Sequence, residues 1–201
     1  MTQKKYKLCR RLGAGIYEKC QTQKFAQAAS AAPKGKKFGG RRSDYGNQLI
    51  EKQKVRFMYG VREKQFSNYV HDAMENGKKG VAPTDLLFRR LEQRLDNVVY
   101  RLGFAHTRAL ARQMVSHGHF TVNGKKSTIP SYQVKQGDVI AIREGSKSNA
   151  LFKEIAVKLK AIKKPDWFRF DEATTSATIS GDPKNPDALL NFPAVIEFYT
   201  R

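Results

Sequence analysis

Residues 91–143 constrain the fold more than any other stretch, because helix periodicity, capping chemistry and turn chemistry there agree on one short order of elements. Leu87, Leu91, Leu95, Val98 and Leu102 recur at intervals of four, four, three and four residues, which lays one apolar stripe along a helix. Arg90, Arg94 and Arg101 fall off that stripe. Gly103 suits the left-handed position that closes a helix, and Thr107 offers a side-chain oxygen to the free amides that open the next. A second helix is predicted over about residues 108–117, with Leu110, Met114 and Val115 inward and Arg108 and Arg112 together on another face. Gly118 stops it. Phe120 and Val122 then alternate with polar neighbours before Asn123-Gly124, a pair whose tolerance of positive φ favours a tight hairpin. Lys125 and Lys126 follow, Gln136-Gly137-Asp138 makes a further turn, and Val139-Ile140-Ala141-Ile142 supplies a short apolar strand.

Two basic helices and a small β unit are a form suited to RNA, and the charge map supports that partner. The 201 residues carry 38 basic and 18 acidic side chains, a formal net charge of +20. Residues 1–42 hold twelve basic and one acidic residue, residues 43–164 hold 23 and 11, and residues 165–201 hold three and six. A chain so charged repels itself, and a polyanion relieves the repulsion while releasing its own condensed counterions. No apolar run reaches the length of a membrane span, and the first residues lack the apolar core of a signal peptide. These features predict a cytoplasmic location and no membrane partner.

The flanking segments predict an α+β chain. In residues 1–42 the run Pro33-Lys34-Gly35-Lys36-Lys37-Phe38-Gly39-Gly40-Arg41-Arg42 discourages regular structure, so this stretch reads as a basic arm that orders on RNA. Leu12, Ile16, Tyr17 and Phe25 leave room for some amphipathic structure within it. From Tyr45 to Asn76 the pattern is helical, with Phe66, Tyr69, Val70, Ala73 and Met74 on one face and Gly60 as a divider. Phe152, Ile155, Ala156, Leu159 and Ile162 predict a further helix, ended by Pro165. Trp167, Phe168 and Phe170 read as anchors of a short strand, and Val195 to Tyr199 as a closing strand.

Metal and redox chemistry have little to work with. Cys9 and Cys20 are separated by ten residues and have no paired cysteines nearby, so they read as ordinary thiols rather than zinc ligands. His117-Gly118-His119 reads as a helix end. No cofactor and no metal ligand is assigned.

Ser43-Asp44-Tyr45-Gly46, Glu51-Lys52-Gln53-Lys54-Val55-Arg56, Tyr59-Gly60-Val61, Glu63-Lys64-Gln65-Phe66, Asn123-Gly124-Lys125, Ile129-Pro130-Ser131-Tyr132 and Val195-Ile196-Glu197-Phe198-Tyr199 accompany the module. With these blocks the chain resembles the bacterial-type small-subunit ribosomal protein four family over roughly residues 40–201 and departs from it in the first 30 residues. Some members of that family carry a four-cysteine zinc site near the amino terminus, of which this chain has only two cysteines. The resemblance implies a basic N-terminal arm (residues 1–42), a mainly helical domain (43–90 plus 165–201) and an inserted RNA-binding module with its following helix (91–164). It implies a structural, non-enzymatic constituent of the small ribosomal subunit. Such a protein binds the five-prime domain of the ribosomal RNA early in assembly, lines the tunnel by which messenger RNA enters, and touches a neighbouring small-subunit protein where decoding accuracy is set.

Arginine grips a phosphate with a planar fork whereas lysine is a flexible point charge. Arg94, Arg101, Arg108 and Arg112 are therefore the candidates for fixed RNA contacts, and Lys125 and Lys126 for looser ones. Lys52, Lys54 and Arg56 are candidates on the helix before Gly60, and Tyr45 for stacking at a helical junction. Lys36, Lys37, Arg41 and Arg42 are assigned by the resemblance to the messenger RNA tunnel. At least one module arginine is expected to pair with Asp96 or Glu92 inside the fold instead. The rival reading is an RNA-modifying enzyme or rescue factor using the same module. For an enzyme, a nucleotide-binding glycine loop or a Cys/His/Asp arrangement is lacking and about 58 residues after the module are too few for a catalytic domain; a rescue factor leaves residues 43–66 unexplained.

Overall fold

A computed structural model describes residues 5–31, 43–77, 80–149, 152, 159, 165–171, 174–184 and 190–201. The chain divides into two compact units, Met1–Leu87 with Pro186–Arg201, and Phe88–Asn185.

The first unit is helical. Helix α1 (Lys5–Leu12) gives way to two single turns of 3-10 helix (Ala14–Ile16 and Glu18–Cys20) and then α2 (Gln23–Ala31). Gly13, at φ 112°, lets the chain double back, and Cys9, Leu12, Ile16 and Cys20 close over a small core, each no more than 6% exposed. Cys9 and Cys20 are joined as a disulfide. This corrects the expectation of two separate thiols, because the turn after Gly13 makes neighbours of residues far apart in sequence. It also narrows the expected arm: residues 5–31 are built into helices and turns, while the glycine-rich run with Lys36, Lys37, Arg41 and Arg42 lies outside the described residues.

Helices α3 (Asp44–Met58) and α4 (Glu63–Gly77) follow as the apolar spacing requires, with Ser43 capping α3 by accepting the Gly46 amide at 3.2 Å. Gly60 sits between them at φ 63°. The last element of this unit is a helix, α9 (Phe192–Thr200), which corrects the strand expected over residues 195–199. Asn191 accepts the Ala194 amide at 3.0 Å and Pro193 occupies the first turn, two start signals that outweigh the β-branched and aromatic run behind them. Phe192 and Val195 are buried, and α9 packs on α3 and α4.

The second unit joins helices to a sheet. Within it α5 (Pro83–Glu92, which begins in the first unit), α6 (Leu95–Arg101) and α7 (Arg108–Ser116) precede the five strands β1 (Phe120–Val122), β2 (Lys125–Ser127), β3 (Val139–Ile142), β4 (Phe168–Asp171) and β5 (Ser176–Ile179), with the short helix α8 (Glu144–Lys147) after β3. The sheet is antiparallel, in the order β2-β1-β3-β5-β4. Its register sets Phe120 opposite Ile142 and Val122 opposite Ile140, so one face is apolar and joins Leu95, Val98, Leu102, Met114 and Val115 in the core. β5 pairs onto β3 and β4 onto β5, so the strands within residues 168–179 belong with the module, not with the helical domain expected to hold residues 165–201. Asn123 and Gly124 both take positive φ, 50° and 76°, as the hairpin requires. Of the helix expected over residues 151–162, only Phe152 and Leu159 are described, both buried in this core.

Candidate nucleic-acid interface

The apolar stripe of residues 87–102 runs through two helices, not one. Between α5 and α6 the backbone of Arg94 is extended and bridges to Gln133. Val134 donates to the Gln93 carbonyl at 2.9 Å, and the Leu95 and Asp96 amides donate to Tyr132 and Pro130 carbonyls at 2.9 and 3.1 Å. The opening amides of α6, which a helix leaves without internal partners, are thus taken by the loop Ile129-Pro130-Ser131-Tyr132.

That break buries Arg94. Its side chain has 0% exposure and grips Asp96 with both prongs, Nε to Oδ1 at 3.0 Å and Nη2 to Oδ2 at 2.6 Å. The expectation that Arg94 contacts RNA is therefore corrected, since its guanidinium is spent inside the fold. Arg101 makes the same fork onto Glu92, at 2.9 and 2.8 Å, but keeps 24% of its side chain exposed. Arg108 donates to Asn97 Oδ1 at 2.8 Å and lies 4.4 Å over the Tyr100 ring. Arg112 stands 4.0 Å from Asp96 with 39% of its side chain exposed. Asn97, which sequence reasoning misses, ties the set together by donating to Glu92 at 3.0 Å while accepting from Arg108. Its signal is a buried polar residue beside Val98 on the apolar stripe.

The outcome is a set of three partly exposed guanidiniums: Arg101 and Arg108 are fixed by hydrogen bonds to Glu92 and Asn97, and Arg112 stands at ion-pair distance from buried Asp96. Less side-chain freedom remains to be lost when Arg101 and Arg108 meet an anion. Lys125 and Lys126, on edge strand β2, are exposed, as a point-charge contact needs. His117 caps the end of α7, and His119 Nδ1 lies 3.0 Å from Ser146 Oγ. Among the described residues no cluster of three or more potential ligands is placed to hold a metal ion.

In the helical unit the candidates separate. Tyr45 is 51% exposed, with its ring 5.5 Å from that of Phe198. Lys54 pairs with Glu51 at 2.5 Å, and Arg56 pairs with Glu63 at 3.2 Å while lying 4.3 Å over Phe57; both are partly buried. Lys52 is only 9% exposed, 2.7 Å from Glu63 and 4.4 Å over the Phe198 ring, which corrects its assignment as an RNA contact. It fastens α3 to α4 and α9 instead.

Glu63 is the hub of that fastening, receiving Lys52, Arg56 and the Tyr199 hydroxyl at 3.0 Å. Burial alone would raise its carboxyl pKa, but the bonds from Lys52 and Tyr199 and the charges of Lys52 and Arg56 outweigh this and leave it lowered. Burial and the Glu63 carboxylate push the Tyr199 hydroxyl up. A lowered folded-state pKa stabilises the fold above the unfolded carboxylate value, and that contribution disappears as pH falls through the folded value. Thermal melts between about pH 5 and pH 3 should therefore show wild type losing more stability than Glu63→Gln. Parallel losses would mean that the hub contributes nothing.

Two family models together match residues 1–140. Residues 1–92 match the ribosomal protein S4/S9 N-terminal domain, and residues 93–140 match the S4 domain. The chain belongs to the ribosomal protein S4 family. It is 45% identical to small ribosomal subunit protein uS4 of Roseiflexus sp. (strain RS-1), and 46% identical to that of Heliobacterium modesticaldum (strain ATCC 51547 / Ice1). Both alignments cover 97% of this chain and 96% of the relative. The uS4 protein of Syntrophomonas wolfei subsp. wolfei is 41% identical over 96% and 95% of the two chains. The S4 family consists of structural ribosomal proteins and is not known to be enzymatic. Among the described residues no helix is long and apolar enough to cross a membrane.

Proposed function

We propose that this S4-family chain is a cytoplasmic constituent of the small ribosomal subunit that binds its ribosomal RNA through the module and nucleates assembly at the five-prime domain. The observation that carries the reading is the set of partly exposed guanidiniums Arg101, Arg108 and Arg112, the first two fixed by hydrogen bonds. Double-stranded RNA hides its base edges in a deep, narrow major groove and presents phosphates and 2′-hydroxyls, which fixed guanidiniums can meet without reading sequence. In this reading Lys125 and Lys126 add looser contacts at the hairpin, Lys54 and Arg56 flank the helical unit, and Tyr45 stacks at a junction. Lys36, Lys37, Arg41 and Arg42 line the tunnel through which messenger RNA enters. A neighbouring small-subunit protein shares a contact that influences translational accuracy.

A resident subunit protein and a transient factor differ in how they leave the ribosome. Sedimentation of small subunits through a high-salt wash should keep this chain in the subunit peak at one copy per particle. Complete release into the supernatant would contradict residence and favour a factor that visits.

A further inference from the structure

The first described segment carries an arrangement that the module does not use. Tyr6 on α1 keeps 43% of its surface exposed, whereas the inner side of that helix is supplied by Cys9 and Leu12, each at 2%. The Phe25 ring of α2 backs Tyr6 at 5.7 Å and 19° from parallel. The Lys19 ammonium stands 5.4 Å from the Tyr6 ring centre. Lys5, Lys7 and Arg10 line a surface recess of about 520 Å³ together with Tyr6. Residues 5–31 hold six basic side chains, Lys5, Lys7, Arg10, Arg11, Lys19 and Lys24, against the single acid Glu18.

An exposed aromatic ring inside a cluster of cations fits one class of ligand better than others. A nucleobase offers a π face to the ring while its flanking phosphates meet the cations, whereas an acidic peptide would use the cations and leave the ring idle. Duplex RNA keeps its bases stacked on each other and has no free face to offer. We propose that Tyr6, backed by Phe25 and surrounded by Lys5, Lys7, Arg10 and Lys19, is a stacking platform for an unpaired base of the small-subunit ribosomal RNA. The identity of the polyanion rests on the function proposed above; the site itself is additional to the module. Stacking of this kind tolerates any base, so the platform contributes affinity and position, not sequence choice.

The test uses the full chain with a small-subunit ribosomal RNA transcript, an oligouridine of about twelve nucleotides, and a blunt duplex of similar length. Tyr6→Leu keeps apolar packing on Phe25 but removes the π face. It should weaken binding of the oligouridine and the transcript by about 5- to 100-fold without changing the salt slope. Duplex binding should not change, and Tyr6→Phe should stay within about twofold of wild type. Lys5→Gln with Lys7→Gln and Arg10→Gln should instead flatten the slope for the single strand, by up to about two. Photocrosslinking of wild type to an iodouridine-substituted strand should mark Tyr6, a readout that needs no variant to fold. Equal oligouridine affinity for Tyr6→Leu and Tyr6→Phe, or crosslinks that avoid the Tyr6 peptide, would overturn the proposal. So would polyglutamate competing equally well with wild type and Tyr6→Leu. If those results came with normal transcript binding through the module, the platform would fall and the RNA-binding function would stand. Wild type binding none of the three RNAs would remove both.

Discussion

Arg94→Ala should destabilise the Phe88–Asn185 unit by about 3 kcal/mol, because it leaves the buried Asp96 carboxylate without its bidentate partner, with only the Asn97 amide and the more distant Arg112 beside it. Arg94 has 0% exposure and Asp96 5%, so water cannot replace the lost fork. The double change Arg94→Met, Asp96→Leu should recover a large part of the loss, since apolar residues of similar volume impose no desolvation penalty. Some deficit should remain, because Asp96 also accepts the Asn97 amide at 2.9 Å. Trp167, the one tryptophan of the chain, is buried in this core, so its fluorescence in a urea titration reports the unit directly. A neutral Arg94→Ala that reduced RNA affinity would mean that this arginine meets phosphate after all.

The opposite pattern is expected at Arg112, Lys125 and Lys126. Each is at least partly exposed, so changing all three to glutamine should alter stability by no more than about 1 kcal/mol. Their contribution is to binding. A phosphate contact scales affinity with salt to a power near −0.9, about eightfold between 1 M and 0.1 M, so three contacts supply on the order of 500-fold at the lower salt. The triple variant should therefore lose about 10²–10³ in affinity for small-subunit ribosomal RNA at 0.1 M salt while melting as wild type does.

The two predictions contrast residues that look alike in sequence, and the reason is physical. Gly103, Thr107, Asn123 and Gly124 act on their immediate neighbours, so the end of α6, the cap of α7 and the hairpin are legible from residue type alone. Gly103 takes φ 89°, and Thr107 accepts the Leu110 amide at 3.2 Å. The break at Arg94 is invisible because the apolar stripe continues in phase across it. What opens it is a set of hydrogen bonds from residues 130–134, brought there by the sheet. The burial of Lys52 depends likewise on Glu63 in the next helix and Phe198 near the other end of the chain. The pairing of β5 with β3 and β4 with β5 is also non-local, so alternation within residues 165–184 does not reveal it. At Val195–Tyr199 the two kinds of sequence signal disagree: β-branched and aromatic residues favour a strand, whereas Asn191 and Pro193 open a helix, and the local start signals win. In the first 31 residues, high charge concealed a small core built on Cys9, Leu12, Ile16 and Cys20.

The most direct test of an RNA-binding face made of exposed cations is the salt dependence of binding to small-subunit ribosomal RNA, wild type against the Arg112→Gln, Lys125→Gln, Lys126→Gln variant. Log affinity against log salt should be steep and linear for wild type, and shallower by about three for the variant, with unfolding curves superimposed. Identical slopes for the two proteins would contradict the assignment and place the ribosomal RNA on another surface.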